Sequence, residues 1–203
     1  MTYSILVADP VNRLLGIITV SGSIAVGSRV PYIKYPYCAV ASQALTNPSL
    51  GPIIGELISR GSTAEQALNL AIKKDSYPQH RQVAVITLGL DKAAYTGSEA
   101  PQFRGEYLGE DFAVIGNYVR KGVVEEAADA MRRNRKLNML DRLIEAARRA
   151  HEVGGDMRGD RSAALIICGE TEYSPYYNKL LDLRVDFSRN PVEELIKIVN
   201  MLK

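Results

Sequence analysis

Histidine and cysteine are scarce in this sequence, with two of each in 203 residues. His80 and His151 are far apart, no HxxxH or CxxC spacing occurs, and no ligand set for a structural or catalytic zinc can be assembled. No metal and no cofactor is therefore expected. Cys38 and Cys168 each sit inside an apolar run, which predicts reduced, core-packed thiols in a cytoplasmic protein rather than a disulfide framework. A charge imbalance is missing too. The 25 basic and 23 acidic residues leave a net charge of +2, too little to gather nucleic acid or an anionic membrane surface. The one basic cluster, Arg132, Arg133, Arg135 and Lys136, lies among Glu125, Glu126 and Asp129 without the interleaved aromatics of a single-strand groove, and reads as a solvated helix end. No stretch reaches the roughly 20 apolar residues of a membrane-spanning helix. The opening Met-Thr-Tyr-Ser-Ile-Leu-Val-Ala carries no basic leader of a signal peptide. The expectation is a cytoplasmic protein with neither a membrane nor a nucleic-acid partner. GxGxxG, P-loop, GxSxG and HExxH patterns are absent, which removes the common nucleotide, esterase and metalloprotease mechanisms.

The chain is long enough for one substantial core, and its hydrophobic and charged fractions, 46% and 24%, are those of a globular domain. Tyr3 to Ala8 and Leu14 to Val20, separated by Asp9-Pro10 and Asn12-Arg13, predict a β-hairpin that starts at Thr2. A third strand is expected over Tyr37 to Gln43, beyond a Pro31 to Pro36 stretch that cannot be helix interior. Pro52 to Arg60, stopped by Gly61, predicts a helix, and Ser62 with Glu65 would form a capping box opening the next. Val83 to Leu88 and Lys92 to Thr96 predict a hairpin, and Phe112 to Ile115 a further strand. Val123 to Arg133 and Leu140 to Val153 predict two helices, the second ended by Gly154-Gly155. Ser162 to Cys168 and Leu183 to Phe187 are expected strands, and a last helix opens at Asn190-Pro191. Strand blocks alternating with helix blocks favour antiparallel sheets covered by helices, here a single domain in which two sheets lie between helix pairs.

Polar residues collect at the ends of these elements: Thr2, Ser21-Gly22-Ser23, Ser42-Gln43, Thr46-Asn47, Arg81-Gln82, Thr96-Gly97, Gly116-Asn117 and Gly154 to Gly159. Each alone is a turn or cap; together they can converge on a cleft. Ser23, Gln43, Asn47 and Arg158 are the candidate binding residues.

Several of these segments, in order along essentially the whole chain, carry a resemblance. Ser42-Gln43-Ala44-Leu45-Thr46-Asn47-Pro48-Ser49-Leu50-Gly51-Pro52, Arg81-Gln82, Thr96-Gly97, Gly116-Asn117, Gly154-Gly155-Asp156-Met157-Arg158-Gly159 followed by Ser162-Ala163-Ala164-Leu165, and Leu183-Arg184-Val185-Asp186 resemble the domain of unknown function 1028 family. The resemblance implies an α+β fold of N-terminal-nucleophile (Ntn) hydrolase type, a four-layer αββα sandwich of two mainly antiparallel sheets. It implies an amidohydrolase in which the first residue of the processed chain attacks a carbonyl while its own α-amine takes the side-chain proton. Thr2 is that residue once Met1 is removed. Asp156 is similar in position to an aspartate that supports the terminal threonine of proteasome-type enzymes, and Gly116-Asn117 could donate to the oxyanion. Where those enzymes carry an aspartate at the end of the second strand, this chain has Ser21 or Gly22, so Ser21 completes the candidate catalytic set. Lys34 is the nearest candidate cation, set among prolines. The expected partner is a small-molecule substrate with an amide or peptide-like bond, and a homodimer is the expected assembly. The alternative is a non-catalytic small-ligand-binding or assembly protein on the same fold.

Overall fold

The computed structural model describes residues 1–202. Its first strands, β1 (Thr2–Asp9) and β2 (Leu14–Ser21), form the expected hairpin in a register that sets Thr2 opposite Ser21 and Asp9 opposite Leu14. The turn is closed by the Asp9 carboxylate, which accepts the backbone N–H groups of Val11 and Asn12 at 3.0 and 2.9 Å, as an Asx turn does.

The remaining strands are β3 (Pro31–Lys34), β4 (Cys38–Ala44), β5 (Arg81–Thr87), β6 (Lys92–Thr96), β7 (Gly105–Leu108), β8 (Phe112–Asn117), β9 (Ser162–Cys168) and β10 (Lys179–Val185). They make two sheets, β10-β9-β2-β1-β8-β7 and β3-β4-β5-β6. Every pairing within them is antiparallel. The N-terminal strand thus lies inside the larger sheet, flanked by β2 and β8. The five α-helices are α1 (Leu50–Ser59), α2 (Ala64–Lys74), α3 (Val123–Arg133), α4 (Met139–Glu152) and α5 (Pro191–Asn200).

Alternation along the strands divides the core. On one face of the larger sheet Tyr3, Ile5, Val7, Ile18, Val20 and Leu165 pack with Met131, Leu143, Ala147 and Leu195 of α3, α4 and α5. On its other face Leu6, Leu15, Ile17 and Ile115 meet Ala39, Ala41, Ala84 and Ile86 of the smaller sheet. Val40, Val83 and Val85, on the far side of that sheet, pack on Ile54, Ala67 and Leu68 of α1 and α2. A helix pair was expected on each side; α5 joins α4 against β9 and β10, so the larger sheet carries three helices.

Several elements differ from expectation, and β7 (Gly105–Leu108) is not among the expected strands at all. The capping box belongs to Thr63 and Gln66, not Ser62 and Glu65: Thr63 Oγ1 accepts from Gln66 N at 3.2 Å and Gln66 Oε1 accepts from Thr63 N at 3.1 Å. Ser62 is already used by α1, where Gly61 at φ +97° lets Ser62 N reach Leu57 O and Gly61 N reach Ile58 O. That is a Schellman closure, which moves the next N-cap one residue on. Pro31–Lys34 forms an edge strand because the glycine face of α1 presses on it; a Cβ on Gly51 would sit 2.7 Å from Tyr32 Cβ. The last strand runs over Lys179–Val185 rather than Leu183 to Phe187. The end of α4 is as expected, with Gly154 at φ +117° and Gly155 N bonded to Ala150 O.

Candidate functional site

Hydrophobic alternation fails at one end of the layer between the sheets. The positions of β1, β2, β4, β5 and β8 that face this layer are apolar along most of their length, then become Thr2, Ser4, Thr19, Ser21, Gln43, Gln82 and Asn117, all buried. Burying so many polar side chains is costly unless they are paired, and they are. Ser4 Oγ donates to Gln43 Oε1 at 2.7 Å, so its 2.9 Å contact with Thr19 Oγ1 is one in which Thr19 donates. Gln43 Nε2 donates to Thr2 O at 3.1 Å and to Gln82 Oε1 at 2.8 Å. Asn117 Nδ2 also donates to Gln82 Oε1, at 3.0 Å, and Gln82 Nε2 donates to Gly116 O, at 3.0 Å, and to Thr96 Oγ1, at 3.1 Å. The chain of amides ties the smaller sheet to the strand that carries Thr2.

Thr2 is 6% exposed. Its Oγ1 lies 3.0 Å from Ser21 Oγ, its cross-strand neighbour. Ser21 Oγ donates its single hydrogen to Met1 O at 2.5 Å and accepts the Ser23 N–H at 3.0 Å; the Thr2 hydroxyl must therefore donate to Ser21. Thr2, Ser21 and the Met1 carbonyl form one directed chain of hydrogen bonds.

Asp156 anchors the amino terminus. Its buried carboxylate binds the Met1 ammonium and accepts Gly22 N at 2.8 Å, Arg158 N at 2.9 Å and two bonds from the Arg158 guanidinium at 2.9 and 3.0 Å. Burial alone would raise this carboxyl, but the bonds from Arg158 and the amine outweigh it and hold the group below the ordinary carboxylate range. Burial pulls the Met1 amine below its ordinary value, and Asp156 offsets only part of that. Arg158 Nη2 also reaches Met1 O at 3.3 Å and Ser23 Oγ at 3.5 Å.

The loop carrying Asp156 and Arg158 is held by Asp160, which no expectation had singled out. Asp160 accepts Asp156 N at 2.9 Å, Tyr3 Oη at 2.8 Å and the His151 ring at 2.7 Å. The hydrogen bond to Asp160 raises the His151 pKa against the opposing effect of burial, with Glu193 and Glu152 adding to the rise. Burial and the Asp160 charge push the Tyr3 hydroxyl far up. The only sign of Asp160 in the sequence was its place just before a strand.

A cavity of about 260 Å³ opens in front of Thr2, walled by Met1, Ser21, Ser23, Arg29, Ala44 and Thr46 among others. Backbone strain gathers around it. Ala44 of its wall and Ala25, next to Val26 of the wall, at φ +71° and +53°, are non-glycine residues in the left-handed region, each costing about 1–2 kcal/mol.

Of the sequence-derived candidates, Thr2, Ser21, Ser23, Asp156 and Arg158 converge on the amino terminus, and Gln43 holds the Thr2 carbonyl. Asn117 is Thr2's partner on β8, but it stands behind Thr2 rather than on the cavity wall, and the buried atom it leaves unpartnered is the acceptor Oδ1. Its amide donor, Nδ2, is already given to Gln82 Oε1. Asn47 is turned away from the cavity and donates to Asp75 at 2.5 Å, beside the buried Asp75–Arg81 pair at 2.9 Å. Its Oδ1 also accepts from Ser49 N at 3.1 Å, as in a turn. Lys34 pairs with Glu56 of α1 at 2.6 Å, on the outer side of the smaller sheet, because Gly55 brings that helix against Lys34.

The fold and site define an α+β protein with two antiparallel sheets whose amino terminus is clasped by a buried aspartate. Residues 2–195 match the family of unknown function DUF1028, and the chain belongs to that family. The crystal structure of protein SPO2555 from Silicibacter pomeroyi, of the same family, is similar at 28% identity with a TM-score of 0.89, covering 98% of this chain and 85% of that one. Anbu (ancestral beta-subunit) from Yersinia bercovieri aligns over 99% of this chain and 94% of its own at 9% identity with a TM-score of 0.45. No curated protein matches the chain. Among the described residues no helix is long and apolar enough to cross a membrane.

Proposed function

We propose that the protein is an Ntn-type amidohydrolase on a four-layer αββα sandwich, acting on a small amide or peptide-like bond with Thr2 as nucleophile after Met1 is removed. The observation that carries the reading is the directed chain from Thr2 Oγ1 through Ser21 Oγ to Met1 O, beside an amino terminus held by Asp156. Removal of Met1 makes the Thr2 nitrogen an amine. Burial of this corner, which already lowers the Met1 amine, keeps a neutral, proton-accepting fraction near pH 7.

The Thr2 hydroxyl proton passes to the α-amine, directly or through Ser21 Oγ, as Oγ1 adds to the substrate carbonyl. The oxyanion meets Arg158 Nη2, a donor that now serves Met1 O. The protonated amine then delivers its proton to the leaving nitrogen as the C–N bond breaks, and water hydrolyses the Thr2 ester. Ser21 thus takes, as a hydroxyl relay, a place where proteasome-type enzymes use a carboxylate.

Intact mass of protein from its native host, before and after a β-lactone electrophile, tests the reading. The expected result is a chain lacking Met1 with one adduct on Thr2. Quantitative retention of Met1 overturns it. One observation favours a second reading, a ligand-binding protein without chemistry: the Met1 ammonium already fills the Asp156 seat. Retained Met1 together with saturable small-ligand binding at the cavity would support that reading.

A further inference from the structure

Resting on the reading of Thr2 above, we propose that the substrate carries a carboxylate and that Arg29 binds it. Arg29 is exposed on the wall of the cavity that fronts Thr2, and no aspartate or glutamate shares that wall. Its guanidinium makes one long bond, Nη2 to Ile24 O at 3.3 Å, and pairs with no carboxylate among the described residues. Arg158, by contrast, does not line the cavity and is ion-paired with Asp156, leaving only its Nη2 contacts with Met1 O and Ser23 Oγ. A guanidinium that has no acid of its own and faces a recess of about 260 Å³ offers a planar fork matched to a carboxylate.

The backbone under Arg29 is built rather than loose. Ala25 N bonds Asp186 O at 2.9 Å, Val26 N bonds Ser162 Oγ at 3.1 Å, and Ser162 Oγ donates to Ser23 O at 2.6 Å. Gly27 packs so closely on Ala164 that a Cβ would lie 2.6 Å from its methyl group. Val26 and Val30 are buried on either side. Across the recess the Thr46 hydroxyl has no partner among the described residues and adds a donor. The recess is small for a drug-sized ligand and suits an acylated amino acid, whose amide would lie toward Thr2 and whose carboxylate toward Arg29.

The test is a heteronuclear NMR titration of the full chain with N-acetylglycine, with its neutral methylamide and with inorganic phosphate, in wild type and in Arg29→Gln and Arg29→Lys. N-acetylglycine is expected to shift the amides of Ser23, Val26 to Val30 and Thr46. The methylamide and Arg29→Gln should each weaken binding about tenfold or more, the loss of one charge-assisted pair, with part of the affinity kept in Arg29→Lys. Equal binding of the neutral analogue, equal binding by Arg29→Gln, phosphate in preference to the carboxylate, or no shifts at these amides would each overturn the proposal. Carboxylate binding that depends on Arg29 in a protein that forms no Thr2 adduct would uphold the subsite and overturn the nucleophile.

Discussion

Gly22 donates its N–H to Asp156 at 2.8 Å, and a Cβ placed on it would lie 2.6 Å from the carboxylate carbon. The residue that follows β2 and the residue that holds the amino terminus are thus in direct contact, and only hydrogen fits between them. Gly22→Ala is expected to push Asp156 off the amino terminus and to cost about 1–3 kcal/mol, as overpacking does. At this chain length that lowers Tm by about 2–4 °C per kcal/mol. Thermal denaturation measures it, and an unchanged Tm would count against this contact.

Ser21 links the Thr2 hydroxyl to the carbonyl position that a substrate would occupy. Ser21→Ala is expected to leave the circular dichroism spectrum unchanged and to slow Thr2 acylation by about 100-fold, the scale of a lost proton relay. Intact mass followed over time reads the rate. Wild-type rates in Ser21→Ala would remove the hydroxyl from the mechanism.

Gln82 serves Asn117, Gln43, Thr96 and Gly116 together. Gln82→Leu strands several buried polar atoms at once, each at about 1–3 kcal/mol, and is expected to destabilise by about 3 kcal/mol or more in urea denaturation. Asn47→Ala is expected to cost only about 1–2 kcal/mol through its lost bond to Asp75 and to leave Thr2 acylation unchanged. A change in acylation there would restore Asn47 to the site.

His151 has its pKa raised by Asp160 in the folded state. Its contribution to stability is therefore complete below its unfolded value of about 6.5 and disappears as pH rises through the higher folded value. Between about pH 6 and 9 the wild type should lose stability more steeply than His151→Gln, by thermal denaturation in matched buffers. Parallel curves would mean that the His151–Asp160 contact adds nothing to the fold.

The hairpin at residue 2, the buried strand at Ser162 and the helices α3 and α4 are legible in the sequence because their signals are local: apolar runs, Asx and glycine stops, one apolar face per turn. Two short edge strands are not. β3 is four residues opened by a proline, β7 is four residues opened by a glycine, and both take their conformation from the neighbour they pair with. The site divides the same way. Thr2, Ser21 and Asp156 stand at element ends where polar residues draw notice, whereas the weight of Asp160 comes in part from Tyr3, remote in sequence, which points at it alongside the nearby His151 and Asp156 N–H. No spacing rule joins residues 157 positions apart.

β1 is made first and enclosed late. Its partner β8 lies more than a hundred residues downstream, and Asp156 follows later still. During synthesis the amino terminus therefore stays in solvent until most of the chain has been translated, since such distant pairings form slowly. Were Met1 to be trimmed, that interval before the ammonium is drawn onto Asp156 would be the time for it, and the ratio of trimmed to untrimmed chains would follow a race between trimming and folding.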